Sequence, residues 1–257
     1  MTVLGVDSLR VLDGDGRPLI DDVSLGVEAG ETLLLCGGPG SGKTLLAKAL
    51  VGLLEDRDDL RVEGSVERAG EVGFVFQYPA RQLVRRTARL DIGFGLENRG
   101  VDPGEIADRV TEVAGRFDAT GLLDRRVGRL SAGETTVVAL LGVLVTEPDV
   151  VVLDEPFSTL DYPGTRRLLE AIDRLRSAGT AVVIAEHDVR DLLGRADRVV
   201  NLDGGRVAAD GPPEAVASAL NRQGVTLPFR TRIALERGGD GERPLPLAAD
   251  GPGDEGP

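Results

Sequence analysis

The chain has no tryptophan, two tyrosines and six phenylalanines, so aromatics make up only 3% of its 257 residues. A core must be built from aliphatic side chains, and little is available for gripping rings by stacking. The single cysteine, Cys36, excludes an internal disulfide; at the end of an apolar run it reads as a small buried side chain. Lysine is nearly absent: only Lys43 and Lys48 occur, and arginine supplies almost all positive charge. The longest apolar stretch, Val137 to Val145, falls well below the roughly 20 residues of a membrane-spanning helix. The start, Met1-Thr-Val-Leu-Gly-Val-Asp7, lacks the basic segment and long apolar run of a signal peptide. Together these absences predict a soluble, cytoplasmic protein.

The net charge is −13, with a pI near 4.7. No basic block of useful length occurs, which counts against a nucleic-acid partner, because neutralising phosphates needs clustered cations. Two origins of the acidity compete. A GC-rich genome favours arginine over lysine without any physical reason. A salt-rich cytoplasm favours many surface carboxylates, whose repulsion is screened at high ionic strength. The acidity is expected to reflect a salt-rich cytoplasm.

Along the chain, Val3 to Leu12 and Val23 to Val27 read as strands around the turn Asp13-Gly-Asp-Gly-Arg-Pro18. Glu31 to Cys36 is an apolar strand leading into a glycine-rich loop, and Thr44 to Leu54 has helical periodicity. Val72 to Phe76 is a further strand. From Pro79 to Arg129 charged, helix-forming sequence dominates, broken at Gly100 to Gly104 and at Gly121, and a helix at Ala132 to Thr146 follows. Then come a strand at Val150 to Leu153, a helix at Pro163 to Ser177, a strand at Thr180 to Ala185 and a short helix at Val189 to Leu193. Val199 to Leu202 and Arg206 to Ala209 form a hairpin across Asp203-Gly-Gly205. Strands alternating with helices imply an α/β fold: a mainly parallel sheet, covered on both faces. An antiparallel β part precedes the sheet, and a helical subdomain at about 79–146 is inserted in it. The domain spans 3–237. Residues 238–257, polar and rich in glycine and proline, read as a disordered acidic tail.

Gly37-Gly-Pro-Gly-Ser-Gly-Lys-Thr44 fits G-x-x-x-x-G-K-[ST] between a strand and a helix. In that setting backbone N–H groups of Gly37, Gly38, Pro39-Gly40, Ser41 and Gly42 turn toward phosphates, proline contributing none. Lys43 adds a cation and Thr44 a hydroxyl for Mg²⁺. Alone, the motif says only that a phosphate chain is bound. Asp154 ends an apolar strand, so its carboxylate emerges beside the loop to hold Mg²⁺, and Glu155 follows to polarise an attacking water. His187, the only histidine, follows the next strand, within reach of the γ-phosphate.

With Leu130-Ser-Ala-Gly-Glu134 and Ser158-Thr-Leu-Asp161 added in this order, residues 3 to 220 resemble an ATP-binding subunit of an ABC transporter, a P-loop NTPase. The resemblance matches Gly37 to Thr44 to the Walker A loop and Asp154-Glu155 to Walker B. It matches Gln77 to the Q-loop, as a catalytic and Mg²⁺-contacting residue, Asp161 to the D-loop and His187 to the switch histidine. It implies two subunits sandwiching two ATP molecules. Ser131, Ala132, Gly133 and Glu134 form the signature that meets the nucleotide held by the other subunit. It further implies a membrane transport subunit that holds the ATPase at the cytoplasmic face. The segment Val72-Gly-Phe-Val-Phe-Gln-Tyr-Pro-Ala-Arg-Gln82, with a second glutamine after the Q-loop, is similar to the energy-coupling-factor and cobalt/nickel group. Gly211-Pro-Pro-Glu214 and Gly224-Val-Thr-Leu-Pro228 look like the start of that group's C-terminal extension, and its members take up vitamins or transition-metal ions.

Departures qualify the resemblance. The signature commonly reads Leu-Ser-Gly-Gly-Gln followed by Gln-Arg. Here Ala132 and Glu134 replace the third and fifth residues, and Thr136-Val137 follow in the Gln-Arg place. Val11 and Leu12 stand where an aromatic usually stacks on adenine. Stacking contributes roughly 1–3 kcal/mol per base, so its loss predicts about tenfold weaker ATP binding. Arg85-Arg-Thr-Ala-Arg89 lacks the group's acidic run. The altered signature favours pairing with a second, non-identical ATPase over self-pairing. Two other readings stand: a soluble ABC ATPase outside transport, and a catalytically weak ATP-binding half of a heterodimer.

Overall fold

The computed structural model describes residues 1–55, 57–223 and 225–236. The disordered tail expected at 238–257 lies outside the described residues.

Two sheets organise the chain. Strands β1 (Thr2–Asp13), β2 (Pro18–Glu28) and β4 (Leu60–Arg68) form an antiparallel sheet in the order β2-β1-β4. The second sheet is six-stranded, in the order β5-β6-β7-β3-β8-β9. Its strands are β3 (Thr32–Cys36), β5 (Val72–Val75), β6 (Val150–Asp154), β7 (Ala181–Glu186), β8 (Arg198–Asp203) and β9 (Arg206–Gly211). All its pairings are parallel except that of β8 with β9. β3, β6 and β7 are buried along their whole length, as expected of parallel strands covered on both faces.

Alternation sorts their side chains into two cores. Leu34, Val151, Leu153, Val182 and Ile184 face α5 (Ala132–Leu144) and α6 (Tyr162–Ser177). Leu33, Leu35, Val150, Val152 and Val183 face α1 (Lys43–Leu50) and the antiparallel sheet. The segment after β5 carries α2 (Ala88–Ile92), α3 (Phe94–Asn98) and α4 (Pro103–Arg116). α5 is buried nearly all round, so polar residues after the signature would be costly there. Thr136 fits because its hydroxyl donates to the Ala132 carbonyl at 3.1 Å.

The elements depart from the sequence reading in particular places. α1 stops at Leu50 rather than Leu54, because Leu53 N donates to Lys48 O and Gly52 N to Ala49 O, the closure that ends helices. Val189 to Leu193 is not an α-helix. Among the described residues the stretch turns once, with Leu193 N donating to Val189 O, and continues as a 3-10 turn, Leu193–Arg195, while Asp188 and Val189 pair with Thr226. β4 was missed: it is mostly exposed and its alternation carries little hydrophobic signal. Two C-terminal helices, α7 (Pro213–Arg222) and α8 (Phe229–Glu236), were also not assigned from sequence.

The arginine–carboxylate pairs on the surface are mostly solvent-exposed, and such pairs contribute little individually. With 43 acidic against 30 basic residues, screening governs the net repulsion. The melting temperature should therefore fall when KCl is lowered from molar to tens of millimolar. An unchanged melting temperature would leave genomic composition as the origin of the acidity.

Candidate active site

β3 delivers the chain into the loop 37–42, and α1 begins at Lys43. Gly37 has φ +147, and a Cβ there would fall 2.3 Å from the Leu202 carbonyl oxygen and 2.6 Å from Ser41 Oγ. Only glycine fits the turn. The Lys43 side chain is buried, and its Nζ donates to Gly37 O (2.9 Å) and Gly38 O (3.1 Å). The ammonium is thus held inside the loop by carbonyls that anionic oxygens can displace. Ser41 Oγ is buried in the same loop with no hydrogen-bond partner among the described residues.

Thr44 Oγ1 donates to Asp154 Oδ1 at 2.8 Å, joining residues 110 positions apart. Asp154 is almost fully buried, and that burial holds its carboxyl above the usual range, against the opposing donation from Thr44. A hydroxyl and one carboxylate are hard oxygen donors. Among the described residues no group of three or more His, Cys, Asp or Glu could cage a metal ion. That donor set suits an ion that arrives already bound to phosphates and keeps most of its other ligands.

Glu155 leaves β6 at φ +43, a left-handed conformation uncommon for a side-chain-bearing residue. Its N–H donates to Ala185 O at 2.9 Å, and its Oε2 accepts from Gln77 Nε2 at 2.6 Å. Its Oε1 lies 3.7 Å from His187 Nδ1. The structure therefore brings Gln77, Glu155 and His187 into one cluster beside Asp154, although they come from β5, β6 and β7 exits. Thr44, Lys48, Phe76, Gln77, Tyr78, Arg81, Gln82 and Asp154 line one groove there.

The segment 130–134 lies elsewhere. Among the described residues no hydrogen bond or ion pair joins it to 37–44. Ser131 caps α5: its hydroxyl accepts from Glu134 N at 3.2 Å, and Glu134 Oε2 accepts from Ser131 N at 2.8 Å. Glu134 also pairs with Arg125, at 2.5 Å. The Ser131 N–H first, and then Arg125, hold its carboxyl below the usual range. Asp161 caps α6, accepting from Gly164 N at 2.9 Å. Gly133 packs directly on Gly164.

Residues 20–158 match the ABC transporter domain family. The chain belongs to the ABC transporter family. It is 39% identical over 230 residues to the energy-coupling factor transporter ATP-binding protein EcfA1 of Bacillus subtilis, covering 85% of this chain and 82% of that protein. It is 40% identical over 216 residues to a putative ABC transporter ATP-binding protein of Halobacterium salinarum, covering 81% and 93%. Among solved structures, cbiO1 from Clostridium perfringens, part of the ABC transporter complex cbiONQ, superposes with a TM-score of 0.75. It is 27% identical, with 93% of this chain and 97% of that one covered. The ABC-type ATPase fold expected from sequence is thereby shown, and the chain is an ATP-binding, ATP-hydrolysing subunit.

Within this ABC ATPase, several details escaped the sequence. Leu12 is 9% exposed and Val11 fully buried, so neither presents a broad open face to a base. Gln82 is tied to the end of β5, with Nε2 donating to Phe74 O (3.2 Å) and Oε1 accepting from Phe76 N (3.3 Å). Burial pushes the Cys36 thiol up to about 12, leaving it inert at neutral pH. A Cβ at Gly133 would meet Gly164 Cα at 2.8 Å, so this glycine has an intramolecular duty. Glycine to alanine inside a helix normally stabilises by about 1 kcal/mol. Here Gly133→Ala should instead lower the melting temperature of the nucleotide-free protein by several degrees, roughly what 1–2 kcal/mol produces. A rise would show that α5 and α6 separate at no cost.

Glu186, also missed, is 2% exposed. Burial first, and then the nearby Glu155 charge, push its carboxyl up to about 7, against two opposing backbone N–H bonds. A carboxyl raised in the folded state adds stability below its unfolded value, and that contribution is lost as pH rises toward the folded value. Between pH 4.5 and 7 the wild type should therefore lose melting temperature relative to Glu186→Gln. Parallel pH curves for the two proteins would contradict this.

Proposed function

We propose that the chain is the motor subunit of an importer of the energy-coupling-factor type, working as a dimer of ATPase subunits on a membrane partner at the cytoplasmic face. The observation that carries this reading is the 39% identity to EcfA1 over most of both chains, supported by the likeness to cbiO1. No described helix is long and apolar enough to cross a membrane, and the proposed role places the membrane-spanning part in a partner. Tyr78, Val84 and Leu90 expose 49%, 62% and 53% of their surfaces, on and after the segment that bears Gln77. These apolar side chains suit docking to that partner. By the same family analogy, the solute is a vitamin or a transition-metal ion. We treat 3–237 as one ATPase domain with the helical part 79–146 inserted.

In the proposed mechanism, the loop 37–42 and Lys43 bind the β- and γ-phosphates. Thr44, Asp154 and Gln77 would hold Mg²⁺, which neutralises charge on the phosphate oxygens. Glu155 accepts the proton of the attacking water, and His187 contacts the γ-phosphate. Ser131 and Gly133 of a second ATPase cover that phosphate, so ATP favours the closed pair and hydrolysis removes the preference. Size exclusion of Glu155→Gln with Mg-ATP, alone and with a candidate second ATPase, tests this. ATP-dependent dimers are expected; a monomer in every combination would defeat it. Tight self-dimers would overturn the expected preference for a non-identical partner, which rests on Ala132 and Glu134. The same two residues and Leu12 favour one second reading, an ATP-binding half with little turnover.

A further inference from the structure

Glu186 sits, almost fully buried, between the two loops that carry Glu155 and His187. Its Oε1 accepts from Phe157 N at 3.1 Å and its Oε2 from His187 N at 3.2 Å. One buried carboxylate thus bonds the backbone of both loops, 29 residues apart in one case and adjacent in the other. We infer that Glu186 is a positioning residue for ATP hydrolysis, a strap that holds the turn after β6 in the shape that aims Glu155 at its water.

The argument starts from backbone strain. Glu155 adopts φ +43, and a side-chain-bearing residue stays in the left-handed region only when its surroundings over-determine it. The constraints on this turn are few: Glu155 N to Ala185 O (2.9 Å), Ser158 N to Glu155 O (3.2 Å), and Phe157 N to Glu186. Among the described residues, the last is the only bond that a side chain makes to the backbone of this turn. Without it, Phe157 N becomes a partly buried donor with no acceptor, and the turn can relax toward extended backbone. Relaxation would swing the Glu155 carboxylate away from Gln77 Nε2 and His187 Nδ1, which it now meets at 2.6 and 3.7 Å. Glu186 Oε2 also lies 3.6 Å from His187 Nδ1, so the same carboxylate backs the imidazole. Among the described residues Lys43 and the loop 37–42 bond none of these atoms, so the main grip on the phosphates does not pass through the strap.

This inference rests on the roles proposed for Glu155 and His187. Steady-state phosphate release and Mg-ATP binding are measured on the full chain for wild type, Glu155→Gln, His187→Ala, Glu186→Leu and Glu186→Gln, with rates normalised to bound nucleotide. Glu186→Leu is close in size and deletes both acceptors; kcat should fall at least tenfold while KM changes less than about threefold, the pattern of a lost transition-state arrangement. Glu186→Gln keeps one acceptor and should fall between Leu and wild type. If Glu186→Leu does not fold, the Gln variant decides alone. Wild-type kcat in the folded Glu186 variants, or a rise in KM at unchanged kcat, overturns the strap. Unchanged kcat in Glu155→Gln and His187→Ala overturns instead the site reading beneath it.

Discussion

Glu155→Gln is expected to bind Mg-ATP as the wild type does and to release phosphate at least two orders of magnitude more slowly. The substitution is nearly isosteric, and its amide oxygen can still accept from Gln77 Nε2, which Glu155 now meets at 2.6 Å. What disappears is the negative charge and the basic oxygen facing the site where water attacks. A positioned general base contributes about 10²–10⁴-fold, so the effect should be confined to kcat. Phosphate release measured against a binding titration separates the steps. Equal turnover in the two proteins would mean that Glu155 is not the base. It would also favour the reading of this chain as the weak half of a pair.

Lys43→Ala should do the opposite, removing nucleotide binding rather than turnover of bound nucleotide. The ammonium is buried and already held by two loop carbonyls, at 2.9 and 3.1 Å, so it pays little ordering cost when phosphate oxygens replace them. Hydrogen bonds to charged groups contribute about 1.5–3 kcal/mol each, and losing one or two of them should weaken ATP binding on the order of 100-fold. The cost comes on top of a base site that lacks an aromatic at Leu12, so affinity should fall below easy detection. Equilibrium binding of a fluorescent ATP analogue checks it. A dissociation constant within threefold of wild type would mean that Lys43 serves the loop's own fold instead.

Much of this was legible in the chain because phosphate loops and strand-end carboxylates are local patterns. Gly37 to Thr44 needs only a strand before it and a helix after it, and both are visible in hydrophobic periodicity. Asp154 and Glu155 follow four apolar residues in the same way. The antiparallel strand β4 escaped because it buries little, and the pairing of Asp188 and Val189 with Thr226, far along the chain, leaves no local signal. Glu186 falls just past the strand expected at Thr180 to Ala185. Nothing in its neighbours announces that it turns inward and bonds Phe157, 29 positions earlier.

The order of the motifs, written in one dimension, was enough to determine the family, the phosphate-binding loop and the residue types at the site. Tertiary structure decided how they meet: Thr44 on Asp154, Gln77 on Glu155, Gly133 against Gly164, and Glu186 beneath two loops. The physical reason is that periodicity reports which face of an element is buried. It does not report which distant polar atom satisfies a buried donor, or which backbone must approach within a methyl's width. Those answers depend on the register between parallel strands, and that register exists only once the sheet has formed.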